Sequence, residues 1–134
     1  MTTSTEALQA WLALEHEAVW LHPVIGARFG ALKDRATASF ETHRDTRDGL
    51  LRRIQALGVE PVVGRLTYDL GSLRTAGRAR RAARDLEARI SAACLTLAGV
   101  TDGDDRAYAV ANLTRAALAE LTWGARPRAF PGLP

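Results

Sequence analysis

The chain has 134 residues, 47% of them hydrophobic and 25% charged, a balance that suits one globular domain and excludes a disordered chain. The formal net charge is +3, but Lys33 is the only lysine and 17 of the 18 basic residues are arginine, a bias that is weak evidence for nucleic-acid binding. The single cysteine, Cys94, excludes an intrachain disulfide and reads as a small buried apolar residue. No apolar run approaches the roughly 20 residues of a membrane span, and "MTTSTEALQAW" has no secretory pattern, so a cytoplasmic address is expected.

Gly30, Gly58, Gly99 and Gly124 each follow a periodic apolar run, as glycines at helix C-termini do, and predict four helices. The first spans about Thr5 to Phe29, with Thr3 and Glu6 spaced as a capping box. Its inward stripe is Leu8, Leu12, Glu15, Val19, His22, Gly26 and Phe29. Pro23 removes one backbone bond and predicts a kink. The second helix spans about Leu32 to Leu57, with Ala36, Phe40, His43, Arg47, Leu50, Ile54 and Leu57 inward. A long irregular connection, "VEPVVGRLTYDLGS", follows and is long enough to let the second and third helices run parallel.

The third helix spans about Leu73 to Ala98, with Ala79, Ala83, Leu86, Ile90, Cys94 and Leu97 inward. The fourth spans about Asp104 to Trp123, with Ala107, Ala111, Thr114, Leu118 and Leu121 inward and Asp102 or Asp104 as its N-cap. From about residue 125 three prolines make the tail non-helical, and Phe130 and Leu133 predict that it docks as a strap.

"EHEAVW" with "GARF" in the first helix and "HRDTRDGLL" in the second carry a resemblance. "YDL" in the crossover and the closing "WGARPRAFPGLP" extend it over nearly the whole chain. Together they resemble an uncharacterised ferritin-like family, a domain of unknown function common in actinobacteria. The resemblance implies an all-α, ferritin-like four-helix bundle with a long crossover between the second and third helices and no assigned activity. The chain departs from it at His22-Pro23, where the family pattern is closer to Tyr-Gly, and in a crossover with fewer prolines.

A di-metal bundle needs one Glu from each of two helices and a Glu-x-x-His pair from each of the other two. Glu15 and Glu87 supply the single carboxylates, but Phe40 precedes His43 by three and Trp123 follows Glu120 by three, so both pairs are missing. We therefore expect no di-metal centre, no cofactor and no catalytic residue. A single metal at Glu15, His43 and Glu87 is the alternative. The favoured reading is a buried polar cluster of Glu15, His43 and Arg47, with the guanidinium pairing the Glu15 carboxylate. His16 and Glu17 sit about 100° and 200° around the helix from Glu15 and are expected elsewhere. His16 is placed beside Trp20, and His22, about 10 Å along the axis, opposite the carbonyl freed by Pro23.

The arginine-rich stretch 74–89 reads as a solvated face with local ion pairs, and "TDGDD" as a turn with an N-cap. The expected function is a non-catalytic scaffold or interaction module. A homodimer is expected, with Trp11, Trp20 and the tail as contact surfaces and an unidentified protein partner possible in principle. A metal or redox bundle around Glu15 and His43 is the first alternative, and weak nucleic-acid binding through the third helix the second.

Overall fold

The computed structural model describes residues 1–134 and contains four α-helices and no strand: α1 (Ser4–Arg28), α2 (Lys33–Ala56), α3 (Ala76–Val100) and α4 (Gly103–Thr122). A short 3-10 turn, Gly30–Leu32, leads from α1 into α2. No helix is long and apolar enough to cross a membrane.

Thr3 Oγ1 accepts the Glu6 N–H at 3.1 Å while Glu6 Oε2 accepts the Thr3 N–H at 2.7 Å, so the capping box forms and starts α1. The helix then runs unbroken through Pro23, whose ring lies on the exposed face. The Thr75 hydroxyl caps α3 by accepting the Arg78 N–H at 3.1 Å, which moves the start of that helix three residues past Leu73. Gly58 and Gly124 take positive φ just after α2 and α4, as C-terminal glycines should. Gly30 and Gly99 do not. The first opens the 3-10 turn and the second lies inside α3.

Contacts fix the directions. Trp11 packs at a tilt against Tyr108 and His22 stacks on Trp123, so α1 and α4 run parallel. Arg53 reaches Asp105 while Arg35 lies over Trp123, so α2 and α4 are antiparallel. Ser91 bonds Glu120 and Arg106 bonds the Ala98 carbonyl, so α3 and α4 are antiparallel too. It follows that α2 and α3 run parallel, joined by the crossover. That segment climbs α1: Gln9 bonds both the Glu60 carbonyl and the Val62 N–H, His16 Nε2 donates to the Val62 carbonyl at 2.9 Å, and Trp20 packs at a tilt against Tyr68. His16 thus pins the crossover.

The expected α3 stripe is buried throughout. The α4 stripe is not. Ala107, Ala111 and Thr114 are exposed, Leu118 is 60% exposed and Leu121 40%, while Ala109, Ala116, Glu120 and Trp123 are buried. In an alanine-rich helix two apolar faces compete. Turning α4 to bury Trp123, with Tyr108 half-buried, removes more apolar area from water than two leucines would.

The tail folds back on α3 and α4. Arg128 donates to Glu120 and to the Leu133 carbonyl, both at 2.9 Å. Phe130 and Leu133 remain 73% and 50% exposed, so polar contacts and close backbone packing hold the strap rather than its apolar side chains. Gly132 has φ +90°, and a Cβ there would lie 2.9 Å from the Ser91 carbonyl oxygen. Gly132→Ala should therefore detach the strap, with a cost of about 1–2 kcal/mol from the backbone conformation alone. Limited tryptic proteolysis would register this as faster cleavage after Arg128; unchanged cleavage would contradict it.

Candidate functional site

His43, midway along α2, projects between α1 and α3 and is buried. Its Nδ1 lies 2.6 Å from Glu15 Oε2 and its Nε2 lies 2.5 Å from Glu87 Oε1. Both nitrogens therefore face carboxylates. The other Glu15 oxygen accepts the Trp11 indole N–H at 2.9 Å. Glu15 is thus satisfied on both oxygens, one held by its own helix one turn earlier and one by α2.

Burial alone would push the His43 pKa down, but the bonds and charges of Glu15 and Glu87 outweigh it and raise it to about 10. At neutral pH the centre of the bundle holds an imidazolium between two carboxylates. His22 stacks on His43 with ring centroids 5.3 Å apart and planes 4° from parallel, and on its other side lies Trp123 at 5.5 Å. Burial first, and then the charge of His43, lower the His22 pKa to about 3, so His22 is neutral. Neither of its ring nitrogens has a partner, and Glu87 Oε2 and Trp123 Nε1 are also buried without one.

The structure brings Glu15, His43 and Glu87 together and leaves Arg47 out. Arg47 is half-buried and pairs with its neighbour Asp48 at 2.9 Å. The physical reason is that His43, one turn earlier, already supplies the cation that Glu15 needs. Trp11 is buried as a donor to Glu15 rather than exposed as a contact surface, and Trp20 is half-buried against Tyr68. His22 joins the cluster instead of meeting the backbone at Pro23, because Trp123 and His43 enclose its ring. The periodicity of α1 alone could not place it, since His22 is far from Glu15 along the axis but close to what α2 and α3 deliver.

The residues do not fit a di-metal centre. The positions that would complete the two Glu-x-x-His pairs are Phe40 and Trp123, neither of which carries a lone pair for a metal, and the Trp123 indole is packed against His22. Glu120, the remaining carboxylate, is taken by Ser91 Oγ at 2.8 Å and by Arg128 at 2.9 Å.

Cys94 is buried, and burial first and then Glu15 push its thiol up to about 12, so it holds no thiolate at neutral pH. With both His43 nitrogens engaged by carboxylates, no Cys–His pair forms. On the third helix, Arg81 lies 3.9 Å from Asp85 in an exposed local ion pair, whereas Arg89 reaches across to the buried Glu17 of α1 at 2.8 Å.

No curated protein is significantly similar to the chain. Among solved structures, the crystal structure of a conserved hypothetical protein, rv2844, from Mycobacterium tuberculosis matches with a TM-score of 0.84 at 24% identity, covering 90% of this chain and 93% of that one. At that identity the likeness concerns the fold: an all-helical four-helix bundle. The chain matches a family of unknown function over residues 7–134, and it belongs to that family, described as the domain of unknown function DUF4439.

Proposed function

We propose that the protein is a ferritin-like scaffold of one domain, without a di-metal centre, that works by self-association and acts in the cytoplasm. The observation that carries the reading is the outward stripe of α4. Ala107, Ala111, Thr114, Leu118 and Leu121 repeat at alternating steps of four and three on a face turned to solvent. That spacing is the seam of a helix that packs against another helix. The long crossover between α2 and α3 supports the ferritin-like label, since one such connection distinguishes that arrangement from an up-down bundle.

A second copy is the occupant we favour. Asp104 continues the stripe at its N-terminal end, and Arg126 borders the groove beside Leu118 and Leu121 at the other. Antiparallel pairing of α4 with its copy sets Asp104 against Arg126 twice, so the face is complementary to itself in charge as well as in apolar pattern.

Sedimentation at two concentrations should give twice the 14.5 kDa chain mass. Leu118→Glu with Leu121→Glu should yield a monomer with unchanged helicity, because neither side chain belongs to the core. Wild-type protein that stays monomeric at high concentration would overturn the proposal; an unidentified protein partner would then be the remaining occupant.

A further inference from the structure

We propose that His22, His43 and Glu87 form a binding site for a single divalent transition-metal ion of the zinc, cobalt or iron(II) class, with Glu15 orienting His43 as a positioning residue. The three ligands come from α1, α2 and α3 and none from the α4 stripe, although Leu118 of that stripe also lines the cleft that reaches them.

The three residues each offer a ligand atom, and these atoms lie within 4.8 Å of one another at the centre of the bundle. Bonds of roughly 2.0–2.2 Å to nitrogen and oxygen set ligand atoms a little over 3 Å apart, so side-chain rotation closes the remaining distance. Two imidazoles and one carboxylate are a donor set suited to these ions.

The unpartnered atoms are the second, independent observation. Both ring nitrogens of His22, Glu87 Oε2 and Trp123 Nε1 are buried with no partner. Buried polar atoms nearly always find one, and each left unmet costs about 1–3 kcal/mol. Four in one cluster mark a place built to hold something more than protein. A metal ion accepts the lone pair of His22 and an oxygen of Glu87. Trp123 Nε1–H, a donor, suits a water or anion in the remaining position.

The donor arrangement favours the same occupant: a dication held by His43 Nε2 and Glu87 takes the place of the proton shared between them. His43 then keeps its Nδ1–H on Glu15 Oε2, the carboxylate–histidine–metal chain that fixes tautomer and ring orientation in metal sites. Glu15 is in turn held by Trp11.

Access is provided by a cleft between α2 and α4, whose lining includes His43, Glu87 and Trp123. Arg35 and Arg115 border it, but each guanidinium is engaged elsewhere, Arg35 over the Trp123 ring and Arg115 on the Asn112 side chain.

The test uses the full chain purified without a histidine tag, stripped with chelator and titrated with Co²⁺. One equivalent should bind, with visible absorption bands of a four- or five-coordinate nitrogen–oxygen site, and Zn²⁺ should displace it. His22→Ala and Glu87→Gln should each weaken binding at least about 100-fold. Glu15→Gln should weaken it about 10–100-fold while the bands keep their positions, the signature of a group that orients a ligand without being one. His16→Ala should change nothing. Circular dichroism on each variant separates lost ligation from lost fold. Binding well below one equivalent in the wild type, or bands that survive in folded His22→Ala, would overturn the proposal.

Discussion

Replacing His43 with leucine is expected to destabilise the metal-free protein by roughly 3–5 kcal/mol, the range for removing one partner from a buried ion pair. The substitution preserves apolar volume, so little of the loss comes from a cavity. It comes from Glu15 Oε2 and Glu87 Oε1, which each lose a charged donor and stay buried. For a chain of this size that corresponds to a drop in Tm on the order of 10–20 °C. Two further variants identify the cause. Arg47→Ala should change stability by less than about 1 kcal/mol, because Arg47 pairs only with Asp48 and is partly solvated. The triple variant Glu15→Met, His43→Leu and Glu87→Met should recover most of the loss, since replacing a whole buried ionic group by apolar residues is often neutral or stabilising. A His43→Leu melting curve that coincides with wild type would show that the carboxylates find other partners, and that the imidazolium does not hold the centre of the bundle together.

The parts of this arrangement that follow from a single helix were legible in the sequence. Thr3 and Glu6 announced the start of α1 because a capping box is local. The α3 stripe announced its buried face because its outer positions are arginines, leaving one apolar face to choose. Glu15 was readable as inward because Leu12 and Val19 flank it on its stripe, and His43 because Phe40 and Leu50 share its face. What was not legible depended on two helices at once. Arg47 and His43 lie one turn apart on the same face, and periodicity cannot say which of them Glu15 meets; the relative displacement of α1 and α2 decides it. The rotation of α4 is a similar case. Its apolar stripe at Leu118 and Leu121 is a better repeat than the one it buries, and only the packing of Trp123 against His22 tips the choice. The same competition between two faces of α4 leaves an apolar repeat on the surface, which is why that face is a candidate for association rather than a defect of the core.

Stability of the metal-free protein is expected to peak near pH 6.5 and to fall on both sides, for opposite reasons in the two stacked histidines. His22 is held down to about 3, by burial and then by the charge of His43. Between about pH 3 and 6.5 the unfolded chain protonates this residue and the folded chain does not, so stability is lost as the pH falls through that window. The His43 pKa is raised to about 10 because Glu15 from α1 and Glu87 from α3 outweigh the effects of burial. Its contribution is fully present below pH 6.5 and is lost as the pH rises toward 10, because the folded chain keeps a proton that the unfolded chain has released. Each limb amounts to a few kcal/mol. Thermal melts from pH 4 to 9 in the presence of chelator measure both. His22→Phe keeps an aromatic ring between His43 and Trp123 and should flatten the acid limb while sparing the alkaline one. The Glu15, His43 and Glu87 triple variant should flatten the alkaline limb. Equal acid slopes for wild type and His22→Phe would mean that His22 is already solvated or protonated in the folded state, and that the bundle holds no buried neutral imidazole in solution.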